Sequence, residues 1–179
     1  YLRKTNEDYL QFKPEDFDKI EECHGYVQPF DDSPLDDEHV SEAVYLNLIN
    51  QAEKYIYIET PYLIADNKMM VALFMASKRG VDVRILTPHI PDKWYAFAVT
   101  QSNYEDLLEA GVSVYQYTPG FNHGKTFVVD DEYAVVGTIN LDYRSLYLHF
   151  ECGVWMYKTE SVWQVKESTL EALKISEQI

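Results

Sequence analysis

A chain of 179 residues, 46% hydrophobic and 15% aromatic, is long enough to fill one sizeable core, so a single compact α/β unit is the first expectation. Thirty acidic against 15 basic residues leave a net charge of −15, which argues against nucleic acid as a partner, since counterion release needs lysines and arginines that face the ligand. No window reaches the roughly 18 apolar residues of a membrane span, and the two cysteines, Cys23 and Cys152, read as reduced thiols of a cytoplasmic redox environment.

In chain order, acid-rich residues 1–22, opening on Tyr1 rather than Met, are expected to be a linker or the tail of a preceding domain, with the folded domain over 23–179. A Pro- and Asp-rich loop is expected over 28–38. The apolar positions Val40, Ala43, Val44, Leu46 and Leu48 predict a helix reaching about Lys54, and Tyr55-Ile56-Tyr57-Ile58 a strand that Pro61 ends. A helix follows from Lys68 to Arg79, closed by Gly80, then a strand from Val81 to Leu86. Trp94 to Ala110 reads as one helix closed by Gly111, and Val112 to Tyr117 as a strand. This alternation predicts an α/β fold with a mixed, mostly parallel sheet and helices on both faces. Two apolar runs, 124–129 and 133–136, separated by Asp130-Asp131-Glu132, predict a hairpin. A strand ending at Tyr157 and a helix from Val162 to Ile175 complete the chain.

The hairpin carries the chemistry. Side chains alternate with period two, so in His123-Gly124-Lys125-Thr126-Phe127-Val128-Val129-Asp130 the imidazole and the ammonium project to one side while Asp130 leans away. An antiparallel return brings Thr138 and Asn140, two apart and on one face, beside them. A neutral imidazole can attack phosphorus or take and give a proton. Lys125 offers charge to nonbridging oxygens, and Thr138 and Asn140 add donors that do not titrate near neutral pH. Asp130 has the wrong parity for that set and is assigned a structural role. Glu151, at the start of the last strand, is placed to hydrogen-bond the far nitrogen of His123 and fix its tautomer. With lysine and amide donors to hold a phosphate, no metal or other cofactor is expected.

The H-x-K-x4-D pattern with its following G-[ST]-x-N resembles the signature of the phospholipase D superfamily, and the run from Gly137 to Ser145 is similar to its longer bacterial form. The run from Tyr26 to Pro34, the turn from Ile58 to Ile64, and Leu148-His149-Phe150-Glu151 narrow the resemblance to the C-terminal half of a bacterial cardiolipin synthase. Thr138 stands where Ser is more usual, and Ala65 follows Ile64 where the synthases more often have Pro. The resemblance implies a phospholipase D-like fold and a ping-pong phosphatidyl transfer that joins two phosphatidylglycerols into cardiolipin and glycerol. Two motifs then face each other: one histidine is phosphorylated and the other moves protons, a part the resemblance assigns to His123. It further implies His123, Lys125, Asp130 and Glu151 as catalytic residues and Lys125, Thr138 and Asn140 as phosphate ligands.

Only one complete motif is present, because His24, His39, His89 and His149 have no Lys two positions on. The implied partners are therefore an anionic phospholipid and the N-terminal half of the same protein, or a second copy of this chain. The resemblance places the full-length protein at the cell membrane, with this fragment soluble. Two readings compete: a homodimeric phosphodiesterase or nuclease, and a catalytically silent half-domain. Around the motif, Tyr62 reads as a packed aromatic before a pocket wall, Asp142 and Arg144 as an ion pair before substrate contacts, and His149 as a strand-edge residue. Trp94, Tyr95 and Phe97 fit core packing about as well as lipid contact at a pocket mouth.

Overall fold

A computed structural model of the chain describes residues 24–179, so the expected tail and Cys23 lie outside the described residues. Ten strands and six helices follow in the order β1 (Tyr26–Asp32), α1 (Val40–Gln51), β2 (Tyr55–Glu59), β3 (Leu63–Ile64), α2 (Asn67–Lys78), β4 (Asp82–Pro88), α3 (Trp94–Ser102), α4 (Tyr104–Glu109), β5 (Ser113–Tyr117), β6 (Thr126–Val129), β7 (Tyr133–Gly137), β8 (Leu141–Asp142), α5 (Tyr143–Tyr147), β9 (Glu151–Tyr157), α6 (Glu160–Lys174) and β10 (Ser176–Gln178). Eight strands form one sheet in the order β1-β9-β7-β6-β2-β4-β5-β10, and β3 pairs with β8 in a small second sheet.

Period-two alternation separates two cores on the faces of this sheet. Ile56, Ile58, Phe127, Val129 and Val135 pack on one face with α1 and α2. Tyr55, Tyr57, Val128, Ala134 and Met156 pack on the other with Val162 of α6. Strand β2 is buried along its whole length, which is why Tyr55 to Ile58 reads as an unbroken apolar run. Tyr45 of α1 stacks on Phe127 with centroids 4.0 Å apart, pinning the helix under the motif strand. Each such fully buried side chain is worth about 1.5–3 kcal/mol of transfer free energy.

The sheet is mixed and flanked by helices on both faces, but its pairing is mostly antiparallel, which corrects the expected balance. Only β2–β4 and β4–β5 are parallel. These are the pairs joined by helical crossovers, whereas β6 and β7 are joined by a tight turn and β1, β9 and β10 return against their neighbours. The expected loop over 28–38 is in part the edge strand β1, where Pro29 is tolerated because the edge needs no ladder donor on its free side. The single helix expected over 94–110 is two, meeting at Asn103, whose side chain donates to the Leu63 carbonyl at 2.8 Å. A side-chain bond of that kind competes with helix continuation. Among the described residues, no helix is long and apolar enough to cross a membrane.

Candidate functional site

The β6–β7 turn is where the site's geometry begins. Asp130 and Asp131 both have positive φ, 55° and 63°, a left-handed pair of the kind that matches the twist of a hairpin. Asp130's carboxylate accepts the backbone N–H groups of Glu53, Lys54 and Tyr55, at 2.7, 2.9 and 2.8 Å. It therefore fastens the entry of β2 to the hairpin, at the end of β6 opposite Lys125. These bonds occupy the carboxylate with backbone donors, the kind of structural part that strand parity assigned to Asp130, and none of them involves His123 or Lys125.

At the other end, Thr126 pairs with Val136, and the Gly137 N–H reaches the Lys125 carbonyl at 3.3 Å. The strand register continues into the flanking residues. His123, Lys125, Thr138, Asn140 and Glu151 line one cleft of about 750 Å³. Gly137 faces Gly153 across β7 and β9, and a Cβ there would meet the Cys152 carbonyl at 2.4 Å. The close approach of these backbones is what brings Thr138 to Glu151 and requires glycine at the head of the second motif.

His123 sits on the segment before β6 and stacks on Phe121, with centroids 5.5 Å apart. Burial first, and the Lys125 ammonium second, lower its pKa below the ordinary histidine value, against a smaller pull upward from Asp92. The ring is thereby biased toward the neutral form, the one able to accept a proton or attack phosphorus. Lys125 is 9% exposed and donates to the His123 carbonyl at 2.7 Å. Its own pKa is lowered by burial, while Glu151 and Asp142 act to retain its charge.

The segment carrying His123 has no regular secondary structure and is held from below. Asn122 accepts from the Gly124 N–H at 2.8 Å and donates to Glu59 Oε2 at 3.0 Å. A Cβ on Gly124 would lie 2.5 Å from that Glu59 oxygen, so the position between His123 and Lys125 has to be small. Neither Glu59 nor Asn122 stood out in the sequence. A Glu in an otherwise apolar β2 was the available signal, since a carboxylate 8% exposed needs a donor.

Glu151 is buried, and its carboxylate engages Thr138 and His149 instead of the expected His123. It accepts the Thr138 hydroxyl proton, and its other oxygen lies 3.5 Å from His149 Nδ1. Thr138 Oγ1 in turn accepts the Cys152 N–H at 3.0 Å, and the Cys152 carbonyl, at 3.3 Å, is a second and longer acceptor for its single proton. Asn140 donates to Ser145 Oγ at 2.9 Å, and its Oδ1 is buried with no partner among the described residues. His149 thus joins the site. Its spacing of two from Glu151, extended past the start of β9, was the sequence signal for it.

A second cleft of about 620 Å³ adjoins the first and shares His123, Asn140, His149 and Glu151 with it. Tyr62 lines it, with its hydroxyl on Asp92 at 2.5 Å. The expected ion pair of Asp142 and Arg144 is absent, because Asp142 caps α5 by accepting the Ser145 N–H at 2.7 Å. Tyr95 lines the cleft and Trp94, 77% exposed, stands outside the core, so core packing does not account for these two aromatics.

The sheet order and the hairpin with its cleft define a phospholipase D-type fold. Nuc, a phospholipase D family member from Salmonella typhimurium, superposes with a TM-score of 0.74 at 19% identity over 87% of this chain and 99% of its own. The phosphatidylserine synthase of Haemophilus influenzae superposes with a TM-score of 0.69 at 20% identity, over 86% of this chain and 40% of its own. The sequence narrows the class. Residues 45–172 match the family model described as cardiolipin synthase, PLD-like domain, and the chain belongs to that family. An uncharacterized protein of Streptococcus mutans is 52% identical over 98% of this chain and 38% of its own length. A cardiolipin synthase of Alkalihalophilus pseudofirmus is 41% identical over 87% of this chain and 31% of its own. The chain thus spans about a third of the length of the curated relatives it matches.

Proposed function

We propose that this chain is the second half-site of a cardiolipin-synthase-type phosphatidyltransferase, joining two phosphatidylglycerols into cardiolipin and glycerol together with a second H-x-K-x4-D half. The observation that carries the reading is one cleft holding a histidine biased toward its neutral form beside a buried lysine, in a chain of this family.

In this scheme the histidine of the other half attacks the donor phosphorus, and the bond to the glycerol oxygen breaks. His123 gives its proton to that oxygen, and glycerol leaves. His123, now neutral, takes the proton from the hydroxyl of the second phosphatidylglycerol, whose oxygen attacks the phosphohistidine and frees the first histidine. Lys125 supplies positive charge to the nonbridging oxygens, and a bound phosphodiester opposes Lys125 in its effect on His123, favouring the imidazolium needed for the first step. Glu151 keeps Lys125 charged and Thr138 oriented. Replacing His123 by Ala in the full-length protein is expected to lower cardiolipin formation by about 10²–10⁴-fold; unchanged formation would end the proposal.

A homodimeric phosphodiesterase is the second reading, favoured by one observation: a single unit of this size accounts for 99% of the Nuc chain. It requires two copies with their His123 rings facing each other and hydrolysis of a simple diester. A monomer with no such hydrolysis removes it.

A further inference from the structure

Three of the arginines lie among the described residues, and two of them are committed to the fold. Arg79 donates to the carbonyls of Ile49, Asn50 and Ala52. Arg84 forks onto Asp82, with bonds of 3.0 and 2.7 Å. The Arg144 carbonyl accepts the Leu148 N–H at 2.9 Å, but its guanidinium makes neither a salt bridge nor a hydrogen bond with any described residue, although the chain carries twice as many acids as bases. It lines the second cleft, and so does Lys93, which also forms no salt bridge among the described residues. The carboxylates there are each engaged by a donor: Asp92 by the Tyr62 hydroxyl, Asp142 by the Ser145 N–H, and Glu151 by Thr138.

His123 and Asn140 border both clefts, whereas Lys125 lines only the first and Arg144 only the second. Two separate sources of positive charge therefore flank the same histidine. We infer that Arg144, with Lys93, forms a second anion subsite that takes a phosphodiester borne by the acceptor alcohol, while the transferring phosphate lies on the Lys125 side. The inference rests on the phosphoryl-transfer reading above and names the acceptor class for that site. A guanidinium presents its donors in a fork that matches two phosphate oxygens, and that of Arg144 gives up no bond to a described residue when the anion arrives. Exposed Tyr95, Tyr143 and Leu148 in the same cleft supply apolar surface beside the charge, as an amphiphilic acceptor requires and a free phosphate does not.

The test compares binding of short-chain cardiolipin, with two glycerol-bridged phosphodiesters, and short-chain phosphatidylglycerol, with one, to the full-length protein. Arg144→Gln is expected to reduce the preference for the doubly charged ligand by about tenfold, and Arg144→Lys, which keeps charge without the fork, by about threefold. An unchanged preference in both folded variants overturns the subsite. Equal weakening for both ligands also overturns it, since Arg144 would then hold the transferring phosphate. Inorganic phosphate that abolishes the preference as effectively as a phosphatidylglycerol headgroup would assign the site to free anions. In parallel, the ratio of transfer to phosphatidylglycerol over transfer to glycerol should fall in Arg144→Gln. No transfer to any acceptor by the unaltered protein would defeat the proposed function, while the binding ratio would still decide the subsite.

Discussion

Lys125 shows how a single residue sets stability against function. Burial lowers its pKa, so in the fold its ammonium is disfavoured relative to the unfolded chain. The unfolded state binds the proton more tightly, and stability therefore rises with pH between the folded value and 10.5. Lys125→Met should abolish transfer yet leave the protein as stable as before or up to about 1 kcal/mol more stable, the offset being the countercharge Glu151 loses. Thermal melting checks this, and a drop of several kcal/mol would mean that the lysine is a structural member. His123 behaves in the same sense. Its pKa is lowered in the fold, so the ring stays neutral as pH falls through 6.5 and protonates only below it. NMR titration of the ring should show an inflection under 6.5 that moves up in Lys125→Met, because one cation beside it is gone. An inflection unmoved by that substitution would leave burial as the sole cause.

At the scale of elements, the β7–β9 pair positions the second motif. Gly137 and Gly153 face each other, and a methyl group on Gly137 collides with backbone atoms that cannot turn aside. Gly137→Ala should cost about 1–3 kcal/mol in urea unfolding, and it should lower transfer even in the folded fraction, because Thr138 and Glu151 shift with the strands. A fully stable and active variant would show that the two strands separate at no cost. The same pair shows what was legible locally. The hairpin, β2, α2, β4, β5 and α6 could be read from apolar periodicity because each has one or two buried faces with short connections. β1 could not, since Pro29 and the two aspartates describe a loop to any local reading and only pairing with β9 makes them a strand. The two-residue strands β3 and β8, and the division of α3 from α4 at Asn103, depend likewise on partners distant in the chain.

The 179 residues carry one complete histidine motif, and the proposed chemistry needs two. These 179 residues alone are expected to show little or no transfer, with activity recovered when they are combined with a polypeptide bearing the other motif. Equal turnover by the 179 residues alone would point instead to the homodimeric diesterase. The distribution of charge belongs to this scale as well. The net charge of −15 extends into the two clefts, where Asp31, Asp32, Asp92, Asp142 and Glu151 accompany Lys125 in the first and Lys93 and Arg144 in the second, so positive potential there is local to those three side chains. A local pocket with low-dielectric walls sets its own potential.

Strand parity and turn chemistry by themselves decided that His123, Lys125, Thr138 and Asn140 meet and that Asp130 does not, because period-two alternation and antiparallel return are properties of the backbone. What Glu151 binds, which arginine side chain has no partner among the described residues, and how Glu59 supports the histidine segment were decided only by tertiary structure. These depend on which buried donor finds which acceptor across strands and loops far apart in the chain, and such pairings leave no periodic trace along it.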